Sequence, residues 1–129
     1  MNRFLLDTHA LIWYLEGNKR MPNRVVEQIE NVENAINFSI ASYWEIYIKV
    51  GLGKIKLPVA PSVLIQKAET MQISTLPINY LHLEQLLSLP AYHKDPFDRL
   101  IISTALSEKI PVVTIDEQFQ AYDVTVLWD

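Results

Sequence analysis

The chain has 129 residues, of which half are apolar and a fifth are charged, an ordinary composition for a single globular domain. It contains no cysteine, so disulfides, thiolate metal sites and thiol nucleophiles are excluded. The net charge of −4 at neutral pH does not favour nucleic-acid binding, unless basic side chains cluster locally or a cation bridges protein and phosphate.

The first half of the chain alternates short apolar runs with helical patterns. In chain order we predict a strand over 3–6, a helix over 10–15, a helix from Pro22 to about Glu33, a strand over 35–38 and a helix over 40–50. Gly17 and the Gly51–Gly53 region provide the helix-ending signals.

The second half continues the alternation after a proline-containing loop. We predict a helix over 62–71, a strand over 73–78, a helix over 81–89, a helix over 96–109, and strands over 111–115 and 124–128. Strands that alternate with helices favour an α/β sandwich with a mainly parallel central sheet. Without repeats or a linker, we expect residues 1–129 to form one domain.

The N-terminal apolar run is interrupted by Asp7 and His9, so the sequence does not predict a signal peptide. No stretch approaches the ~20 apolar residues of a membrane span. We therefore expect a cytoplasmic protein without membrane contact.

Two apolar strands end in an aspartate, Asp7 after FLL and Asp116 after VVTI. Ligands of open α/β sheets collect at the carboxyl ends of the strands, so both side chains are candidates for a shared site. The alternative is that each aspartate caps the helix or turn that follows it.

Glu45 lies on a predicted helix that is apolar almost all round, a pattern typical of a buried helix. Its polar positions, Ser42, Glu45 and Lys49, fall on one narrow stripe. This stripe either faces solvent, with an i,i+4 ion pair between Glu45 and Lys49, or is directed into an acidic cleft.

Asp95 and Asp98 flank Pro96 in the segment HKDPFDRLIISTAL. Their positions fit the N-cap and the first turn of a helix, where negative charge is favourable. A first-turn aspartate can also face a cleft, so capping and a functional role are compatible.

Asp7, Glu45, Asp98 and Asp116, with Asp95 in support, form a candidate set of converging carboxylates. Carboxylates packed together repel one another and are costly to desolvate, so they need a cation. Oxygen ligands select hard ions, which predicts Mg²⁺ or Mn²⁺. Such an ion suits phosphodiester hydrolysis, because it polarises the phosphoryl oxygen and activates water.

Basic side chains next to these acids are candidates for phosphate contacts, namely Arg99, Lys49 and Lys94. His9 and His93 also lie close to the acids in sequence. Either histidine can assist proton transfer, although orienting a neighbour or facing solvent is the more common role.

Several segments together resemble the PIN-domain family, in particular the VapC-type toxins. They are DTHALIW, SIASYWEIYIKVGLGKI, HKDPFDRLIISTAL, PVVTIDEQFQAY and VTVLW, in this order from Phe4 to Trp128. The resemblance implies a three-layer α/β/α fold and metal-dependent cleavage of RNA. It matches Asp7, Glu45 and Asp98 to the three main acids of the family and Asp116 to its weaker fourth acid.

The resemblance also implies an antitoxin partner and a homodimer. The aromatic residues that could serve a partner surface are more typical of a core, namely Trp13, Tyr14, Tyr43, Trp44 and Tyr47.

Three other functions remain open from the residues alone. A receiver-type phosphoacceptor domain fits the length, but Asp7 stands without a second acid and Asp116 occupies the place of the expected lysine. An aspartate phosphatase would need an acid two residues after Asp7, where the chain has His9. A non-catalytic binding module, in which every acid is a helix cap, is the third.

Overall fold

The computed structural model describes residues 2–129; Met1, which the predicted single domain includes, lies outside the described residues. The strands are β1 (Arg3–Leu6), β2 (Ala35–Ser39), β3 (Ile73–Leu76), β4 (Val112–Val113) and β5 (Val126–Leu127). The α-helices are α1 (Thr8–Glu16), α2 (Asn23–Glu30), α3 (Ile40–Gly51), α4 (Pro61–Thr70), α5 (Tyr80–Leu87) and α6 (Pro96–Glu108), and a 3₁₀-helix spans Glu117–Ala121.

The five strands form one sheet in the order β3-β2-β1-β4-β5, and all four neighbouring pairs are parallel. This confirms the predicted α/β class. The strand order reverses between β1 and β4, which is the point where open α/β sheets bind ligands. Receiver-type domains have the order 2-1-3-4-5 instead, so the receiver alternative does not fit this sheet.

The sheet lies between two helical layers because its apolar side chains alternate between the faces. Leu6 packs on a core formed with helices α1 to α4, whereas Leu5 packs on a core formed with α6 and the 3₁₀-helix. Helix α5 contacts α6 on the second face. No helix within residues 2–129 has the length and apolar content to cross a bilayer.

The predicted elements are present, but several differ in extent: β3 ends at Leu76, α5 spans Tyr80–Leu87, and β5 is reduced to Val126–Leu127. Helix α2 ends at Glu30 because Asn31 has an extended backbone. The strand expected over 111–115 is reduced to Val112–Val113, since the chain turns at Thr114, whose hydroxyl accepts a hydrogen bond from the Asp116 N–H. The 3₁₀-helix after Asp116 was not predicted.

Helix α3 buries its polar stripe together with part of its apolar surface. Ser42 and Glu45 are buried, whereas Ile40, Trp44 and Tyr47 are exposed, Trp44 by 60%. The interpretation that the polar stripe faces solvent is therefore wrong, as is the placement of Trp44 and Tyr47 in the core. Contacts of α3 with α1 and α6 enclose the polar stripe.

Candidate metal centre

The carboxyl ends of β1 and β4 are adjacent in the sheet and carry the first two acids. Asp7 directly follows β1, and Asp116 follows β4 after two residues. Backbone hydrogen bonding joins the two strand ends, because the Asp7 N–H donates to the Val113 carbonyl at 3.0 Å. The side chains therefore meet at the position where the strand order reverses.

Asp7 is held by two donors and is only 5% exposed. Its Oδ1 accepts from the Ala10 N–H at 2.8 Å and caps α1, while its Oδ2 accepts from the Thr114 hydroxyl at 2.5 Å. Burial raises the pKa of Asp7 to about 6, although these two hydrogen bonds oppose the shift. The carboxylate is thus fixed in orientation and poorly solvated.

Glu45 is 2% exposed and projects from α3 toward α1. Its Oε1 accepts a hydrogen bond of 2.5 Å from the Thr8 hydroxyl, and its Oε2 pairs with the Lys49 ammonium. The i,i+4 ion pair expected from the sequence is present, but it lies at the edge of a buried acidic cluster.

Asp98 lies in the first turn of α6, and charge repulsion from several other acids acts on its carboxyl group. Burial raises the pKa of Asp98 to about 7, and repulsion from Asp95 and Glu45 adds to the shift. Asp7 contributes in the same direction. The structure therefore brings the three main predicted acids into one electrostatically coupled group.

The capping and clustering interpretations are both correct for the aspartates at the edge of the group. Asp95 caps α6 with Oδ1, and its Oδ2 lies 3.9 Å from the Lys49 ammonium. Asp116 caps the 3₁₀-helix with Oδ1, and its Oδ2 lies 3.0 Å from His93 Nε2. Each of these carboxylates gives one oxygen to a helix and keeps the other for the cluster.

The basic candidates occupy different positions. Lys49 is ion-paired with Glu45, and Lys94 is exposed beside the cluster. The Arg99 guanidinium instead donates to the carbonyls of Leu89, Pro90 and His93 at 3.0–3.4 Å. These contacts give Arg99 a structural role and do not support its predicted phosphate contact.

The sequence analysis did not predict two of the residues at the site and assigned a third only a minor role. Thr8 and Thr114 orient acids, and the signal available was only their proximity to Asp7 and Asp116. His93 is 6% exposed and lies between Asp98 and Asp116. By contrast, His9 is exposed.

The donor set fits a hard divalent cation. Carboxylate oxygens of Asp98 and Asp116 lie within 4.8 Å of each other and of a ring nitrogen of His93, and burial raises the pKa of Asp98 and of Asp7. One turn before Glu45, Ser42 Oγ is buried without a hydrogen-bond partner in residues 2–129. Buried acids with one nearby ammonium are short of positive charge, which a hard ion with oxygen ligands supplies.

Comparison with solved structures identifies relatives of the same fold. A chain of VapBC2 from Rickettsia felis, solved bound to a promoter DNA fragment, has 17% identity and a TM-score of 0.72, with 98% of this chain and 99% of that chain covered. A chain of DNA-bound VapBC from Salmonella typhimurium has 20% identity and a TM-score of 0.70, with 98% of each chain covered.

A third similar structure comes from VapBC-5 of Mycobacterium tuberculosis, described as a member of the VapBC family of toxin–antitoxin systems. It has 16% identity and a TM-score of 0.63, with 100% of both chains covered. No curated protein matches the chain in sequence.

The sequence model of the PIN domain matches residues 4–124, which include all the acids of the cluster. The parallel sheet, the acids at the β1–β4 switch point and this match agree with one another. The chain is therefore a member of the PIN domain family.

Proposed function

We propose that the protein is a Mg²⁺- or Mn²⁺-dependent endoribonuclease and the toxin of a toxin–antitoxin pair. The observation that carries the proposal is the convergence of Asp7, Glu45 and Asp98: the first two are buried and held by hydrogen bonds, and the third is partly buried and influenced by their charges. Membership of a family that generally consists of nucleases supports hydrolysis of phosphodiester bonds.

In this proposal Asp7, Glu45 and Asp98 hold the ion, directly or through its waters, and Asp116 completes the site. When bound, the ion would polarise a phosphate oxygen and lower the pKa of water for in-line attack. The chain itself supplies orientation, because Thr8, Thr114 and the Ala10 N–H fix the carboxylates before the ion arrives.

Lys49 and Lys94 are the side chains to which we assign phosphate contacts. Lys49 offsets part of the charge of Glu45 and Asp95, and the exposed Lys94 ammonium is free to follow a backbone phosphate. The acid cluster repels RNA in the absence of the ion, so we expect substrate binding and metal binding to be coupled.

The partner proposal rests on similar solved structures, one of which is described as a toxin–antitoxin complex and another as a member of a family of toxin–antitoxin systems. We propose that a cognate antitoxin protein binds this chain and blocks cleavage. We also propose a homodimer through the exposed face of α3, formed by Ile40, Trp44 and Tyr47. Trp44 packs edge-on against Phe97 at 5.2 Å, so this apolar face extends onto α6.

Cleavage by the purified protein tests the proposed activity. We expect varied single-stranded RNAs to be cut with Mg²⁺ or Mn²⁺ but not with EDTA, leaving 5′-phosphate and 3′-hydroxyl ends. Asp7→Asn and Asp98→Asn should reduce the rate by at least about 100-fold, while the exposed Asp123→Asn control retains it. Uncut RNA, or equal cleavage by these variants, would contradict the proposal.

Two further measurements separate the alternatives. A non-catalytic module has no saturable Mn²⁺ site, and a phosphoacceptor domain is labelled on Asp7 by a small phosphodonor. Expression of the chain alone in a bacterial host should arrest growth, and Asp98→Asn should relieve the arrest. The cytoplasmic location and the single-domain organisation stay predictions.

A further inference from the structure

We propose that His93 is a positioning residue of the metal centre: its Nε2–H holds Asp98 and Asp116 together, and its ring does not ligate the ion. The role at a metal ion rests on the proposed function, whereas the contacts of His93 are independent of it. It concerns a side chain for which the sequence offered only proton transfer, orientation of a neighbour or exposure to solvent.

The tautomer of His93 follows from its Nδ1 contact. The Asp95 N–H donates to His93 Nδ1 at 3.2 Å, so Nδ1 must present its lone pair. A neutral imidazole with an accepting Nδ1 carries its only proton on Nε2. The backbone at the start of α6 thereby decides which ring nitrogen is the donor.

The backbone of His93 is anchored by hydrogen bonds, and an aromatic side chain packs against its imidazole ring. The His93 N–H donates to the Tyr122 hydroxyl at 2.7 Å, and this hydroxyl donates to the Pro90 carbonyl at 2.7 Å. Phe119 contacts the ring edge-to-face, with centroids 5.9 Å apart. Arg99 donates to the His93 carbonyl. A buried imidazole constrained in this way has little freedom to rotate away from the cluster.

The protonated nitrogen lies between two carboxylates that come from different parts of the fold. His93 Nε2 is 3.1 Å from Asp98 Oδ2 and 3.0 Å from Asp116 Oδ2. Nε2 donates a hydrogen bond to Asp116 Oδ2 and makes a close polar contact with Asp98 Oδ2, so the ring joins the first turn of α6 to the loop after β4. Asp116 Oδ1 is already engaged by the Gln118 N–H, so the histidine determines the direction of the second oxygen.

Ligation through Nε2 would require the proton to move to Nδ1, where it would face the Asp95 N–H. The hydrogen bond to Asp95 would be lost, and two donors would be opposed. Because imidazole favours Zn²⁺ and other borderline ions, a histidine restricted to donation leaves an oxygen-only site. The centre should therefore prefer Mg²⁺ and Mn²⁺ despite the adjacent ring.

The tautomer can be read directly by ¹⁵N–¹H NMR of the imidazole nitrogens. The chain has three histidines. The imidazole resonances that are missing from the spectrum of His93→Gln are those of His93. We expect His93 to show a protonated Nε2 and an unprotonated Nδ1, both without metal and with saturating Mg²⁺. A protonated Nδ1, or loss of the Nε2 proton when Mg²⁺ is added, would overturn the proposal.

Calorimetric titration with Mn²⁺ provides the second test. His93→Gln keeps an N–H donor near the position of Nε2 and should retain the Mn²⁺ affinity within about threefold, whereas His93→Leu should lose about tenfold or more. Gln66→Leu, at an exposed position of α4, is the control and should leave the Mn²⁺ affinity unchanged. An equal loss in both His93 variants would indicate a ligand, and no loss in either would show that the donor is dispensable; both outcomes contradict the proposal.

Circular dichroism of each variant establishes that it is folded before the titration. If His93→Leu does not fold, the comparison of wild type with His93→Gln and the NMR signature still decide the question. Absence of any Mn²⁺ binding by the wild type would defeat the proposed function, whereas the tautomer of the metal-free protein would still confirm or refute the role of His93.

Discussion

The Thr114 hydroxyl donates a hydrogen bond of 2.5 Å to Asp7 Oδ2, although 107 positions separate the two residues in the chain. The same hydroxyl oxygen accepts from the Asp116 N–H at 3.0 Å. One threonine therefore connects the acid after β1 with the backbone of the acid after β4. Its two contacts link two acids of the candidate centre, in addition to the backbone pairing of β1 with β4.

Replacement of Thr114 by valine keeps the shape of the side chain and removes its hydroxyl. The pKa of Asp7 should rise further, because the hydrogen bond from Thr114 lowers it. We expect Mn²⁺ affinity at pH 7.5 to fall about tenfold, measured by calorimetric titration. Thr125→Val, at an exposed position, is the control and should bind Mn²⁺ normally. Unchanged affinity in Thr114→Val would exclude an orienting role for the hydroxyl.

Asp98→Asn should stabilise the metal-free protein while removing metal binding. The folded protein holds a proton on Asp98 more tightly than the unfolded chain does, so at pH 8 the charged carboxylate destabilises the fold. We expect the free energy of unfolding to rise by about 1–2 kcal/mol in the variant, a value reduced for partial exposure. Urea denaturation with EDTA at pH 8 measures it, and a less stable variant would contradict the prediction.

The pH dependence of the metal-free protein follows from the same two carboxyl groups. The pKa values of about 6 for Asp7 and about 7 for Asp98 lie above the ordinary value of about 3.9 for aspartate. The two groups are protonated at acidic pH and then destabilise the fold least. The free energy of unfolding should therefore decline as the pH rises from about 4 to 7, where the buried carboxyl groups lose their protons. Denaturation at several pH values in EDTA should show this decline, and the Asp7→Asn, Asp98→Asn double variant should lose it.

Protons and the metal should compete for these groups. Mn²⁺ affinity is expected to fall by about tenfold per pH unit for each proton displaced, once the pH drops below about 7. Titrations between pH 5.5 and 8 measure the effect. Affinity independent of pH over this range would show that Asp7 and Asp98 do not bind the ion.

Glu108 offers a stability test far from the metal centre. It accepts a 2.8 Å hydrogen bond from the buried His82 and pairs with Arg3, and the pKa of Glu108 is lowered, chiefly by the His82 contact. The ionised Glu108 carboxylate therefore stabilises the fold fully above the ordinary pKa of glutamate. This stabilisation is lost as the pH falls through the lowered pKa.

Glu108→Gln should accordingly lower the free energy of unfolding at pH 7 by about 1 kcal/mol. Most of the difference from wild type should vanish below about pH 4. Glu84→Gln, on the exposed surface of α5, is the matched control and should change stability little. A larger difference at acidic than at neutral pH would contradict the assigned ion pair.

The proposed homodimer can be tested on the exposed face of α3. Trp44→Arg places a charge at its centre, and we expect a dimer-to-monomer shift at micromolar concentration in sedimentation equilibrium experiments. Tyr80→Arg, on α5, replaces a side chain that is also largely exposed and should leave the dimer intact. A wild-type monomer, or a dimer that survives Trp44→Arg, would exclude this interface.

The order and type of the regular elements were predictable because each carries a strong local signal. These signals are local in sequence. They include proline at the first position of α6, Gly17 at the end of α1 and the alternation of side chains along the strands. For the 3₁₀-helix the sequence offered only a possible cap or turn at Asp116. Its first turn depends on Asp116, whose conformation is fixed by the Thr114 contact.

The candidate acids were also found from the sequence, but the way in which they are held was not. The sequence left open whether Glu45 faces solvent or a cleft, and aromatic residues such as Trp44 are more typical of a core. The structure buries Glu45 and exposes Trp44, because α1 and α6 enclose the polar stripe of α3. Thr8 reaches Glu45 across 37 positions, and His93 reaches Asp116 across 23. Such contacts form only when the chain folds, so local sequence patterns do not predict them.

The inward-facing charge of α3 makes the chain dependent on its surroundings. An ion that binds only the folded form shifts the folding equilibrium by mass action. If the chain is the proposed metal-dependent nuclease, the concentration of free divalent cation would then affect both its rate of cleavage and the fraction of molecules that are folded. Under ion starvation, a larger fraction of molecules would be open to proteases, and the danger posed by an uninhibited nuclease would decline with its lifetime.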